Sequence, residues 1–164
     1  MSAVAGRGVV LSRPLGDGDL LEPQEVGMRQ IMDPADATFC ESVEAGHSNH
    51  AEQSAIVKLL GVTKESVRMD SQAKYAAVAR GSADIYLRLP VGTTYKEKIW
   101  DHAAGDLIVR EAGGIVTDVY GKRIDFGTGR TLTNNVGFVV APASLHAKVL
   151  EAVQSVLDIK PSVL

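Results

Sequence analysis

Asp101 stands between Trp100 and His102, at the start of a run with helical spacing. After it, Ala103, Ala104, Leu107, Ile108 and Ala112 fall on one face of a helix. Gly113-Gly114 is where that helix stops, because glycine takes the left-handed conformation that helix ends often need. Ile115-Val116-Thr117-Asp118-Val119 then reads as a strand. A carboxylate at a helix N-terminus has two uses. Asp is among the best N-caps, worth about 1 kcal/mol. It is also the hard oxygen ligand that Mg²⁺ takes. One oxygen can cap while the other binds metal, so both readings stand.

Other residues suit a phosphate. Ser71 follows a short strand, Val67 to Asp70, and opens a helix expected over 72–80 that Gly81 closes. It can cap that helix, and N–H groups at a helix N-terminus attract anions. Lys74, one turn in, places an ammonium beside the same anion; the plain alternative is a capped helix with a solvated lysine. This Ser-x-x-Lys is not a β-lactamase pair, since the companion Ser-Asp-Asn and Lys-Thr-Gly motifs are missing. In Ala83 to Leu89, Ile85, Leu87 and Leu89 share one strand face, with Tyr86 and Arg88 on the other. Arg88 offers a planar fork to a phosphate, or a surface to stack on a base. His47 lies in a loop, Gly46 to Asn49, at a strand-to-helix switch, where α/β folds gather ligand contacts. Tyr95 and Glu97 are weaker candidates for shaping a pocket.

Trp100-Asp101-His102-Ala103-Ala104-Gly105 followed by Glu111-Ala112-Gly113-Gly114 resembles the C-terminal signature of the inositol monophosphatase superfamily. Within it the chain is most similar to the 3′(2′),5′-bisphosphate nucleotidase branch. That likeness rests on Ser42 to Ser48, Asp70 to Tyr75, Asp84 to Pro90 and Asp125 to Leu132. It runs from about Ser2 to about Val156. The resemblance implies a Mg²⁺-dependent, lithium-sensitive phosphatase, working in sulfate assimilation, that turns 3′-phosphoadenosine 5′-phosphate into AMP and phosphate without a phosphoenzyme. Asp101 would be the catalytic metal ligand. His47, Ser71, Lys74, Arg88 and Asp101 would hold the substrate.

The same resemblance exposes a deficit, because only the family's C-terminal half is matched. A Glu-Glu pair and an Asp-Pro-x-Asp-Gly-Thr motif supply the family's other metal ligands. Asp33-Pro34-Ala35-Asp36-Ala37-Thr38 looks like the latter but follows the strands that the motif should precede, and Ala37 replaces its glycine. It reads as a linker turn. One Asp does not hold two or three Mg²⁺ ions. The expectation is a C-terminal fragment, inactive or nearly so alone. The alternatives are a non-catalytic nucleotide-binding or self-associating piece, one that pairs with a missing N-terminal half, or a phosphatase of inositol phosphates.

Bulk properties narrow the partners. The 164 residues suffice for one domain with a core. The composition, 45% hydrophobic and 23% charged, is that of an ordinary globular protein. A net charge of −3 argues against nucleic acid or an anionic membrane as main partner, though not against a small anion met by local basic residues. Cys40 is the only cysteine, so no internal disulfide forms. No apolar run approaches a membrane span, and the N-terminus lacks a secretory pattern. A cytoplasmic location is the default.

Taken in order, Ser2 to Ala5 and Val9 to Ser12 are strand candidates, with Gly27 to Ile31 a third. Gly16-Asp17-Gly18-Asp19 is a loop; it lacks the spaced ligands of a calcium site. Asn49 with Glu52 resembles a capping box opening a helix whose apolar face is Ala51, Ala55, Ile56, Leu59 and Leu60. Ile124 to Phe126 and Val136 to Val140 are further strands. Gly127-Thr128-Gly129 lacks the lysine of a P-loop and reads as a turn. Pro142 is expected in the first turn of a last helix with Leu145, Val149, Leu150, Val153, Val156 and Leu157 inward. From residue 39 the pattern is an α/β sheet with helical cover. The resemblance makes it the mixed-sheet second domain of the inositol monophosphatase-like fold. Residues 1–38 are then remnant strands and linker of the first domain, and 39–164 the C-terminal α/β domain.

Overall fold

The computed structural model describes residues 1–13, 21–43, 50–92 and 95–159. Three short strands come first: β1 (Ser2–Ala3), β2 (Val9–Leu11) and β3 (Gln24–Val26), antiparallel in that order. The third strand is not Gly27 to Ile31. Val26 pairs with Val9 and Glu25 with Val10, after which the chain must leave the sheet to reach the rest of the fold. Met28 enters the core and its N–H donates to Ala112 O. Asp33-Pro34-Ala35-Asp36 is a single 3-10 turn capped by Asp33, whose Oδ1 accepts the Ala35 N–H at 3.0 Å.

Beyond it lie β4 (Phe39–Glu41), α1 (His50–Leu59), β5 (Val67–Arg68), α2 (Ala73–Ala79), β6 (Ile85–Arg88), α3 (Ala103–Glu111), β7 (Gly114–Thr117), β8 (Phe138–Pro142) and α4 (His146–Val156). The sheet order is β5-β4-β6-β8-β7. β4 runs parallel to β5 and β6, while β8 is antiparallel to β6 and β7. This is the mixed α/β sheet expected. The alternation of β6 sorts its side chains between two cores. Ile85 and Leu87 pack with Phe39, Val139 and residues of α1 and α4. Tyr86 packs with Cys40, Val140 and residues of α2 and α3. Both faces of the sheet are covered.

Several local expectations shift. Ile124 to Phe126 forms no strand; Thr117 and Arg123 make one isolated bridge. The buried Asp118 carboxylate takes the N–H groups of Tyr120 and Lys122 and the Asn135 amide, folding the chain into a tight turn instead of a long hairpin. Pro142 is the last residue of β8, opposite Gly114, and not the first turn of α4. A strand end tolerates its missing N–H. The buried residues of α3 are Gly105, Asp106 and Val109 rather than Ala103, Ala104, Leu107 and Ile108, because Gly105 turns its bare Cα to the core. On α1, Gln53 and Ile56 are buried while Ala51, Ala55 and Leu59 are exposed. The Asn49 half of the proposed capping box and the Gly16 to Asp19 loop lie outside the described residues.

One ion pair ties the leading segment to the main sheet. Asp84 is 1% exposed and accepts Arg29 Nε at 2.8 Å, Arg29 Nη2 at 2.5 Å and the Thr38 N–H at 2.8 Å. Arg29→Ala leaves that carboxylate buried with one donor. Chemical denaturation should show a loss of roughly 3 kcal/mol, the low end for removing one partner of a buried pair, since Arg29 keeps 43% of its side-chain exposure. Unchanged stability would mean that Asp84 is hydrated. His146 provides a second handle. It is buried and bonded through Nε2 to Thr117 Oγ1 at 3.0 Å. Burial pushes its pKa down, against a smaller upward effect of a hydrogen bond with the Val139 backbone. The folded chain therefore resists protonation there. Its contribution is complete above the unfolded histidine value of about 6.5 and is lost as pH falls below it. Urea midpoints should fall between about pH 7 and about pH 5, and less so in His146→Gln.

Candidate functional site

The parallel strands β4, β5 and β6 end on one side of the sheet, at Glu41, Arg68 and Arg88. In open α/β sheets, ligands bind beyond such carboxyl ends. A cavity of about 480 Å³ opens there, lined by Ser42, by Asp70 to Tyr75 without Ala73, by Tyr86 and Arg88, and by Tyr95, Glu97, Asp101 and His102. Ser71, Lys74, Arg88 and Asp101, singled out from the sequence, thus converge on one cavity, joined by Tyr95 and Glu97. His47 lies outside the described residues. Asp33 and Asp36 do not line the cavity; they sit in the turn before β4, at the start of the strand whose far end meets it.

Lys74 is only 5% exposed, so the solvated-lysine alternative fails. Its Nζ lies 5.3 Å from the Tyr86 ring centroid. Among the described residues no carboxylate comes within ion-pair distance of it. Burial pushes its pKa down, while the Asp70 carboxylate works against that. Cys40, buried beside it, is pushed up to about 11 by burial and stays a thiol.

Arg88 is held differently. Its Nε donates to Glu97 Oε1 at 2.8 Å, and Glu97 Oε2 meets His102 Nε2 at 3.1 Å. His102 Nδ1 meets the Tyr75 hydroxyl at 2.8 Å, and the imidazole stacks on Phe138 at 3.9 Å between centroids. An ionised carboxylate only accepts, so Nε2 carries the proton and Nδ1 accepts from Tyr75. Burial raises the Glu97 pKa, but the bonds from His102 and Arg88 and the charge of Arg88 lower it further, leaving it below the ordinary value. Burial keeps the Tyr75 phenol well above its usual range.

Ser71 and Asp101 play different local parts than expected. Ser71 takes a left-handed φ of 65° and its Oγ accepts the Ala73 N–H at 3.3 Å. The N–H groups of Lys74 and Tyr75 go to the Ser71 and Gln72 carbonyls. The first N–H groups of this seven-residue helix are therefore engaged, and attraction for an anion falls to Lys74 and Arg88. Asp101 closes a 3-10 turn, Ile99–Asp101, ahead of α3 and makes no cap bond to it. Its carboxylate is exposed at the cavity beside Trp100, which is 51% exposed and carries Arg130 5.4 Å from its ring centroid.

A model of the Inositol monophosphatase family matches residues 1–158. The chain belongs to this family. It is 57% identical over 158 residues to the 3′(2′),5′-bisphosphate nucleotidase of Emericella nidulans, covering 96% of this chain and 45% of that protein. To the enzyme of the same name from Schizosaccharomyces pombe it is 53% identical over 141 residues, covering 86% of this chain and 40% of that one. The chain thus spans a little under half the length of these relatives. Among solved structures, the Thermotoga maritima IMPase superposes with a TM-score of 0.62 at 20% identity, over 82% of this chain and 47% of that one. The extragenic suppressor protein suhB of Bartonella henselae gives 0.61 at 21% identity, over 85% and 50%. These two establish the fold alone.

The family is generally metal-dependent. The described donors do not by themselves make a metal site. Among the described residues no three His, Cys, Asp or Glu side chains cluster to hold an ion. Asp101 stands alone, Glu97 is engaged by Arg88 and His102, and Asp70 Oδ1 accepts the Val43 N–H at 3.1 Å. Octahedral Mg²⁺ needs more oxygen than one carboxylate and water supply with any selectivity.

His102, Tyr75 and Tyr86 belong to the cavity but were not singled out. Tyr86 had a signal, its place on the Arg88 face of β6. Tyr75 and His102 had none, because their contact is between helices. That contact needs Gly105, where a Cβ would lie 2.3 Å from Tyr75 Cγ. Gly105→Ala should cost roughly 1–3 kcal/mol from overpacking, more than the helix propensity of about 1 kcal/mol it gains. A rise in melting temperature would contradict this geometry.

Proposed function

We propose that this chain carries the substrate-binding part of a 3′(2′),5′-bisphosphate nucleotidase, the activity that turns 3′-phosphoadenosine 5′-phosphate into AMP and phosphate. One observation carries the reading: a buried ammonium, Lys74, faces a polar cavity without an ion-pair partner among the described residues. Burying a charge is costly unless an opposite charge meets it. A phosphate entering the cavity supplies that charge. Arg88 adds a second cation at the same opening, and Ser71 a hydroxyl. The names of the relatives supply the nucleotide.

His47 joins this set by resemblance, and Asp101 contributes one oxygen ligand to Mg²⁺. Because the described residues do not complete a magnesium site, no chemical step is assigned to them. We take residues 1–38 as strands of a neighbouring domain, 39–164 as the α/β domain, and the cytoplasm as its place; no described helix is long and apolar enough to cross a membrane. Among the described residues, the outer strands of the three-stranded sheet, β1 and β3, each have one partner. Such edges favour pairing with a second copy or with another domain.

Calorimetry with 3′-phosphoadenosine 5′-phosphate tests the reading. The chain should bind it, Lys74→Met should weaken binding at least about tenfold, and an inositol phosphate should compete poorly. Preference for the inositol phosphate would shift the substrate to that class, and equal binding by Lys74→Met would remove the reading. Phosphate release with Mg²⁺ should be absent or nearly so. Mg²⁺-dependent release that disappears in Asp101→Asn would show a complete metal site.

A further inference from the structure

Glu97 poses a problem for an anion site. It puts a carboxylate into the cavity that Lys74 and Arg88 make attractive to phosphate. Its charge repels the ligand that they attract. Simple electrostatics says that the site would be better without it. Yet the carboxylate is 15% exposed, held ionised, and bonded through both oxygens. The bonds show what it does. Oε1 accepts Arg88 Nε at 2.8 Å, and Oε2 meets His102 Nε2 at 3.1 Å. His102 is fixed in turn by the Tyr75 hydroxyl at 2.8 Å and by stacking on Phe138. Tyr75 is fully buried and lies against Gly105.

The geometry points to a strut, Tyr75–His102–Glu97, whose function is to aim the Arg88 guanidinium at the bound phosphate. A bond at Nε fixes the plane of the guanidinium and with it the direction of the terminal N–H groups. An arginine left to itself must lose rotamer freedom on binding; one already pinned loses less. Each link passes orientation to the next. Phe138 and Tyr75 fix the ring and its tautomer, the ring fixes the carboxylate, and the carboxylate fixes the arginine. Glu97, His102 and Tyr75 are positioning residues here, acting through Arg88. The strut rests on the anion-site reading above.

The sign of one substitution separates the strut from plain charge. Glu97→Gln removes a negative charge without changing shape. If Glu97 acted only as a charge, 3′-phosphoadenosine 5′-phosphate would bind tighter. With the strut it binds weaker, by roughly tenfold, the worth of a charge-assisted hydrogen bond. Tyr75→Phe removes only the hydroxyl that fixes the His102 ring and should weaken binding by roughly threefold, as loss of a neutral bond does. Both variants should shift the Arg88 Nε–H resonance in ¹H–¹⁵N spectra of the ligand-free chain, and Tyr75→Phe should mix the His102 tautomers. A purely structural role would change melting and leave that resonance in place. Affinity in Glu97→Gln that is equal or tighter, while Lys74→Met still binds at least about tenfold weaker, overturns the strut and spares the anion site. If the wild-type chain binds neither this nucleotide nor inorganic phosphate, the anion-site reading fails. The strut, which aims Arg88 at that anion, then falls with it.

Discussion

Tyr75 lies against the bare Cα of Gly105, and the cavity depends on that contact. With any Cβ at residue 105 the rings and helices must separate, since the nearest Tyr75 atom is 2.3 Å from where it would stand. The contact sets how closely α2 approaches α3. It places the Tyr75 hydroxyl on His102 Nδ1. It also rotates α2 so that Lys74, the preceding residue and about 100° away around the helix, turns to the end of the sheet and the Tyr86 ring. One glycine thus helps to position both a hydrogen-bonded chain and an ammonium at the same cavity.

The two cations of the cavity are treated unequally. Arg88 meets an ionised Glu97 and keeps its charge, although burial opposes it. Lys74 meets an aromatic face and a thiol that burial holds protonated. Burial works on each in the same direction, and the difference lies in the partner. A lysine shifts readily when buried while an arginine does not, so Lys74 is the group that gains most from an incoming anion.

Side-chain contacts fasten the leading segment to the α/β elements. Arg29 and Asp84 do so at one point. Glu111 does so at another: it accepts the Gly8 N–H at 3.0 Å, and backbone N–H groups of Gly6 and Gly8 hold its carboxyl below the ordinary range. Glu111 stands in the same signature as Asp101, yet its part is to cradle a turn rather than to face the cavity. A residue's place in a motif does not tell which of these it does.

Local chemistry was legible in the sequence wherever it depends on neighbours along the chain. The alternation of Ile85, Leu87 and Leu89 against Tyr86 and Arg88 specified a strand with two different faces, because side chains on a strand point alternately by geometry alone. Gly113 ended α3 with a φ of 90°, as a helix stop requires. The Asp33-Pro34 turn was equally readable. The family motifs placed Ser71, Lys74, Arg88 and Asp101 in one site, which the carboxyl ends of β4, β5 and β6 explain. What sequence periodicity misjudged was the inward face of α1 and α3 and the last strand boundaries, and it left open whether Lys74 is solvated. Those depend on what lies across the gap. Asp106 is buried because Arg110 meets it one turn on and Gly105 draws the helix inward; Lys74 is buried because β6 passes beneath it. The Glu97–His102–Tyr75 chain joins residues 5 and 27 positions apart. The longer of these bonds forms only after α2 has packed against the start of α3, so the sequence determined the pieces and their order, and tertiary packing decided which polar groups met.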